Sequence, residues 1–282
     1  MYNDILSIGS FTIHGYGLMI AVGILTALFV GEARAKNRGL NADEIYNLTL
    51  CCAVFGFLGA KLLFCIVEWK SFVAAPLSIL KSSGFVVYGG IIVGTLAGYV
   101  WCRLRKLVFL DYFDIVLPSV AVAQGFGRVG CFLAGCCYGR ETDSVFGIVF
   151  HNSRFAPNDV KLIPTQLISA FGMFIIAGIC FWYAKTPRKR GTTGFLYLTL
   201  YSIGRFGIEF LRNDYRGEIG ILSTAQFISL FIVLIGVAGF VIVSRRDFGT
   251  LEVNARKVSA VDGEKNDSTG EVDETNKIDE LS

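Results

Sequence analysis

Seven blocks of mostly apolar residues, separated by short polar stretches, decide what this chain can become. Roughly 20 apolar residues rising 1.5 Å each cross a hydrocarbon core of about 30 Å, so each block reads as a membrane-spanning helix. The blocks run from Tyr16 to Glu32, Ile45 to Val67, Phe85 to Cys102, Phe113 to Leu133, Thr165 to Ala184, Gly194 to Phe210 and Ala225 to Val243. The fold class expected is all-α: a polytopic membrane protein of about seven transmembrane helices. No basic residue precedes the first block, and Glu32, Arg34, Lys36 and Arg38 follow it closely, which favours a retained helix over a cleaved signal peptide.

Charge supplies orientation. Arg34, Lys36 and Arg38 follow the first span, Arg103, Arg105 and Lys106 the third, Lys185, Arg188, Lys189 and Arg190 the fifth, and Arg245 and Arg246 the seventh. These loops alternate with basic-poor ones, as an N-out, C-in chain requires. The loop after span four breaks the pattern, with Arg128 and Arg140 on the opposite, outer side, where a functional role is expected of them. A net charge of +3, spread between apolar blocks, builds no basic patch and excludes nucleic acid as a partner. Two parts follow: a seven-span domain over residues 1–245, and an acidic tail, residues 246–282, too poor in apolar residues to build a core and expected to be a disordered cytoplasmic segment.

The stretch "GFGRVGCFLAGCCYGR", Gly125 to Arg140, imitates a dinucleotide fingerprint through Gly125, Gly127 and Gly130. That fingerprint works only between a strand and a helix of a βαβ unit, whereas this copy lies late in an apolar helix. The glycines read instead as close-packing positions or as a helix break. Cys131, Cys136 and Cys137 form C-x4-C-C, which lacks a fourth ligand in a recognised metal spacing. Most of the eight cysteines read as small packing residues, with a thiol or disulfide role for Cys136 and Cys137 as the lesser alternative.

Arginine inside a membrane helix is costly and therefore informative. Arg128 lies near the end of span four. Arg205 lies in "YSIGRFGIEFLRND", with Glu209 and Arg212 four and seven residues beyond it on one helical face. For Glu209 a structural salt bridge competes with a functional role. Arg128 and Arg205 together suggest a cavity for an anion, because the guanidinium presents planar, permanently charged donors to phosphate. Tyr16, Tyr88, Gln166 and Gln226 add polar groups in other spans, each of which also has a plain reading as an interfacial anchor or an interhelical hydrogen bond.

The ordered series "HGYGLMIAVGI", "GAKLLF", "VVYGGIIVG", "QGFGRVGCFLAGCCYGR", "IPTQL" and "GRFGIEFLR…LSTAQFISL" resembles the prolipoprotein diacylglyceryl transferases over residues 8 to 245. The resemblance implies a multi-pass enzyme of the bacterial cytoplasmic membrane that moves the diacylglyceryl group of phosphatidylglycerol onto the lipobox cysteine of a preprolipoprotein and releases glycerol 1-phosphate. Its partners would be phosphatidylglycerol, lipobox segments and membrane lipids, with no cofactor and no metal. It implies that Arg128, which opens the G-R-x-G signature, and Arg205 surround the lipid phosphate. Gly139 closes the signature, and Tyr16, Tyr201, Glu209 and Arg212 also fall on motif positions. Departures accompany the match. Tyr88, before Gly89 and Gly90, stands where many members have histidine, and Cys131, Ala134 and Cys136 replace two asparagines and a glutamate. Tyr88, Arg205 and Tyr16 are the expected catalytic set, and a phenol near pKa 10 would act as base only if neighbouring arginines lowered it. A non-catalytic lipid or anion carrier on the same helices, or a transferase with another acceptor, is the alternative.

Overall fold

The computed structural model describes residues 4–8, 11–82, 84–153, 155–213, 218–219 and 221–251. A short antiparallel hairpin, β1 (Asp4–Ile8) and β2 (Phe11–His14), leads into α1 (Gly15–Lys36). Then come α2 (Asp43–Val67), the short α3 (Trp69–Ala74) and α4 (Pro76–Lys81), α5 (Val87–Leu104) and α6 (Phe109–Ala134). A loop containing β3 (Ile148–Val149) and β4 (Lys161–Leu162) precedes α7 (Thr165–Tyr183). Last come β5 (Arg188–Lys189), α8 (Thr192–Glu209), β6 (Glu218–Ile219), β7 (Leu222–Ser223), α9 (Thr224–Arg245) and β8 (Thr250–Leu251).

Among the described residues, seven long helices fall on the seven apolar blocks. Six of them are long and apolar enough to cross a membrane, and the molecule is a mostly helical, polytopic membrane protein. The remaining long helix, α8, has 18 residues, about 27 Å at 1.5 Å each, and is made less apolar by Arg205 and Glu209. Large side chains such as Leu25, Phe29 and Trp182, 67%, 72% and 70% exposed, point outward, as lipid-facing positions should.

Two packed units make up the bundle. In one, α6, α7 and α8 share a core of Ala121, Val122, Met173, Ile176, Ala177, Cys180 and Tyr197, with α1 and α9 against its sides. In the other, α5 lies on α2 closely enough that a Cβ on Gly94 would come 3.1 Å from the Cys52 carbonyl oxygen, and one on Gly59 would come 2.6 Å from that of Gly89. Small residues allow this contact, and it is the usual source of helix association where lipid removes any hydrophobic gain.

The basic loops meet at one end. Arg38 Nη2 donates to the Ala184 carbonyl at 2.5 Å, Arg190 pairs with Asp111 at 2.9 Å, Arg105 with Glu44 at 2.8 Å, and Lys189 Nζ donates to the Ser244 carbonyl at 2.7 Å. Asp114, fully buried, accepts from the backbone N–H groups of Gly191 and Gly194 at 2.7 Å each and so caps the start of α8. Arg34 does more than signal orientation. Pro118 inside α6 has no N–H for the Asp114 carbonyl, and Arg34 donates to that oxygen at 3.2 Å and to the Ile115 carbonyl at 2.8 Å.

Beyond α9, Thr250–Leu251 pair with Arg188–Lys189, so two residues of the segment assigned to the acidic tail are strand-paired to the bundle. The disorder expected of all of residues 246–282 does not hold at Thr250–Leu251, and residues 252–282 lie outside the described residues.

Candidate active site

Arg128 and Arg205 reach one cavity from two helices. The space, about 330 Å³, lies among α6, α7 and α8 and is walled mainly by apolar groups such as Ile168, Met173 and Ile208, with Tyr201 also on its lining. Arg128 is half-buried, and among the described residues no carboxylate pairs with it. A chain of contacts fixes the tyrosine: Tyr197 donates to Gln124 Oε1 at 2.8 Å, and the Tyr197 and Tyr201 rings stack with centroids 5.8 Å apart. Gln124 opens the segment "QGFGRVGCFLAGCCYGR" but is given no role of its own in the sequence reading, and Tyr197 lies outside every such segment. A glutamine one turn before Arg128 in an otherwise apolar helix was the available signal.

Glu209 lies between two arginines. Arg205 Nη1 is 2.5 Å from Glu209 Oε2, with side chains 13% and 8% exposed, and Arg212 Nε is 4.0 Å from the same oxygen. The expected single helical stripe is corrected here, because α8 ends at Glu209. Phe210, Leu211 and Arg212 donate instead to carbonyls three residues back, a tightening to 3₁₀ geometry. Arg212 then bridges backbone to Gly139.

Gly139 is the junction of this end of the bundle. Its N–H donates to the Ile163 carbonyl at 3.1 Å, the Arg140 N–H to the Leu211 carbonyl at 3.0 Å, and the Ile163 N–H to the Arg140 carbonyl at 2.9 Å. A Cβ at residue 139 would sit 2.6 Å from the Ile163 oxygen and 2.8 Å from the Leu211 oxygen. Glycine is therefore what lets the loop after α6 touch both the start of α7 and the end of α8. A small core of Phe150, Ala156 and Leu162 packs this loop onto Phe132 and Tyr138.

Gly125 and Gly130 are close-packing positions, the first against the Phe174 ring and the second against Tyr16 and Met19, and α6 runs unbroken through both. Of the two readings offered for these glycines, the helix break is ruled out. Tyr16, in the first turn of α1, thus lies against α6 and within electrostatic reach of Arg128 and of Cys131, Cys136 and Cys137.

Tyr88 stands elsewhere, in the first turn of α5 on the α2 side, 36% exposed and not among the residues that line the arginine cavity. The approach to it is held by Lys61, whose ammonium donates to the Ser82 carbonyl at 2.7 Å and lies 4.9 Å from the centre of the Phe85 ring. Gln226 is removed from the polar constellation. It completes a capping box with Ser223, with N···Oγ 3.2 Å and N···Oε1 3.1 Å, and so starts α9. Gln166, 1% exposed, donates to the Cys136 carbonyl at 2.8 Å.

The three cysteines of C-x4-C-C do not act as scattered fillers, for their sulfur atoms lie within 4.8 Å of one another. Contact with the Cys131 and Cys137 sulfurs, together with burial, pushes the Cys136 thiol far above its ordinary range.

The chain is similar along residues 3–242 to the family model described as prolipoprotein diacylglyceryl transferase. The phosphatidylglycerol–prolipoprotein diacylglyceryl transferase of Clostridium tetani is 47% identical over 230 residues, spanning 81% of this chain and 92% of that one. A phosphatidylglycerol–prolipoprotein diacylglyceryl transferase 2 of Clostridium perfringens is 46% identical over 228 residues, 80% of this chain and 89% of that one. The Staphylococcus aureus protein of the same description is 34% identical over 251 residues, 85% of this chain and 88% of its own. With that model matched from end to end of the helical bundle, this chain belongs to the prolipoprotein diacylglyceryl transferase family.

Proposed function

We propose that this protein transfers the diacylglyceryl group of phosphatidylglycerol to the lipobox cysteine thiol of a preprolipoprotein in the bacterial cytoplasmic membrane. The observation that carries the reading is the convergence of Arg128 and Arg205 on one apolar-walled cavity in a member of this family. Apolar walls suit acyl chains, and guanidinium groups at one side suit the phosphodiester. The basic end of the bundle faces the cytoplasm and the Gly139 end faces outward, an orientation supported by the positive-inside bias.

In the reaction the thiolate attacks the glyceryl carbon. A carbon–sulfur bond forms, the carbon–oxygen bond to phosphate breaks, and its electron pair leaves on the phosphate monoester, glycerol 1-phosphate. Negative charge grows on the leaving oxygens, so cations already in place there lower the barrier. Arg205 and Tyr16 serve the reacting groups, and Tyr88, which does not line the arginine cavity, serves the incoming thiol. Arg128, Tyr201, Glu209, Arg212 and the Gly139 junction hold the headgroup. The thiol must lose its proton, for which a phenol or an electropositive pocket provides the means.

The test is direct. Purified protein, phosphatidylglycerol and a lipobox peptide are incubated, and mass spectrometry looks for a diacylglyceryl adduct on the peptide cysteine. An adduct that disappears when that cysteine is serine supports the transferase, and its absence beside a working control enzyme sinks the reading.

A further inference from the structure

The end of α6 builds a group of three sulfur atoms that the transfer chemistry leaves unused. The Cys136 N–H donates to the Cys131 carbonyl at 3.1 Å and the Gly135 N–H to the Phe132 carbonyl at 3.1 Å, with Gly135 left-handed at φ 70°. These are the two bonds of a Schellman ending, in which the third residue from the helix end and the second beyond its cap come into contact. Here those positions are Cys131 and Cys136. The sequence C-F-L-A-G-C therefore encodes a sulfur–sulfur approach that ligand-spacing rules do not anticipate. Cys137 follows with φ 62°, a left-handed backbone that side-chain-bearing residues seldom adopt and that persists only where the surroundings hold it.

Those surroundings are buried. Thr165 Oγ1 donates to the Cys137 carbonyl at 2.8 Å and Gln166 Nε2 to the Cys136 carbonyl at 2.8 Å, both side chains being 1% exposed. The Gln166 Oε1 atom is buried without a hydrogen-bond partner. Arg128 lies three residues before Cys131 on α6, within electrostatic reach of it.

Thiolates select soft cations over magnesium, calcium or manganese. A metal bonded to three sulfurs at about 2.3 Å holds them about 4 Å apart, so sulfurs already within 4.8 Å of one another close by small side-chain rotations. Structural zinc almost always takes four protein ligands, and this group supplies three. We propose that Cys131, Cys136 and Cys137 form a three-thiolate site for a soft monovalent cation of the Cu(I) class. On binding, each thiol gives up its proton to solvent and its sulfur bonds to the metal, leaving two negative charges that Arg128 partly balances.

The test uses metal alone and does not depend on transfer activity. Purified, reduced protein in detergent, kept without oxygen, is titrated against Cu(I) held by bicinchoninate. One equivalent should pass to each chain. Cys136→Ser and Cys137→Ser should each weaken binding by more than the roughly 10–100-fold that loss of an outer partner costs, while Cys51→Ser in α2 should leave it unchanged. Maleimide labelling with peptide mass mapping gives an answer even where a variant does not fold, since Cu(I) should protect the three cysteines of residues 131–137 in the unaltered protein and leave Cys51 reactive. Failure to take Cu(I) from bicinchoninate, undiminished binding by Cys136→Ser, protection spread over the membrane cysteines, or isolation with two of the three joined in a disulfide would each overturn the proposal.

Discussion

Arg205 and Glu209 form an ion pair one turn apart on α8, 2.5 Å between Nη1 and Oε2, with both side chains nearly withdrawn from solvent. Breaking a buried pair by removing one partner leaves an uncompensated charge and costs about 3–5 kcal/mol. Glu209→Ala should destabilise the protein by about that much, and Arg205→Met with Glu209→Ala together should cost clearly less than the sum. Thermal unfolding of the four proteins in detergent gives the coupling. Strict additivity would mean that the pair is not an energetic unit.

The cavity carries a second prediction. Arg128 has no carboxylate partner among the described residues and lines the cavity. Arg128→Lys keeps the charge but loses the fork, so transfer to a lipobox peptide should fall by about 10²–10³-fold, the loss typical of removing one preorganised donor. Helicity by circular dichroism should stay unchanged. A lysine variant with ordinary turnover would show that charge alone suffices.

At residue 139 the prediction is steric. Gly139→Ala places a methyl group against the carbonyl oxygens of Ile163 and Leu211, 2.6 and 2.8 Å away before any adjustment. Relief requires the loop after α6 to part from the end of α8, at about 1–3 kcal/mol for overpacking. Transfer should fall with it because Arg212 pairs backbone with Gly139. An unfolding midpoint and turnover both equal to those of the unaltered protein would remove the junction from the argument.

Much of the bundle was legible because hydropathy is a local property. The blocks predict the seven long helices of the described residues with ends displaced by a few residues, such as Phe113–Leu133 against the observed Phe109–Ala134. Pairing between helices is not local. Nothing near Arg34 in the chain says that Pro118 has freed a carbonyl 80 residues away, so Arg34 reads as an orientation signal until the two helices are seen together. The role of Gln226 is legible locally, since S-T-A-Q is a capping-box sequence. C-x4-C-C matches no metal-ligand spacing, yet the glycine before Cys136 makes it a helix-ending motif that brings the sulfurs together.

The contact between Arg34 and the proline break yields a double-variant prediction. Arg34→Met leaves the Asp114 carbonyl without its donor and should destabilise the protein by about 1–3 kcal/mol, the cost of an unsatisfied buried group. Pro118→Ala restores an N–H four residues on from Asp114, so the same Arg34 change should cost less in that background. Thermal unfolding of both single variants and the double variant checks this. An equal cost in both backgrounds would separate Arg34 from the proline.

Tyr88, which the family resemblance places where many members carry histidine, is 36% exposed in the first turn of α5. General acid–base groups contribute about 10²–10⁴-fold to rate. Tyr88→Phe keeps the ring and its packing and removes only the hydroxyl, and transfer should fall by at least about 100-fold if that hydroxyl handles the thiol proton. We expect this loss in the turnover number. A Tyr88→His variant should recover part of it, because imidazole titrates closer to neutral pH than phenol. Full activity in Tyr88→Phe would leave Tyr88 a packing residue and shift the activation of the thiol to the arginines.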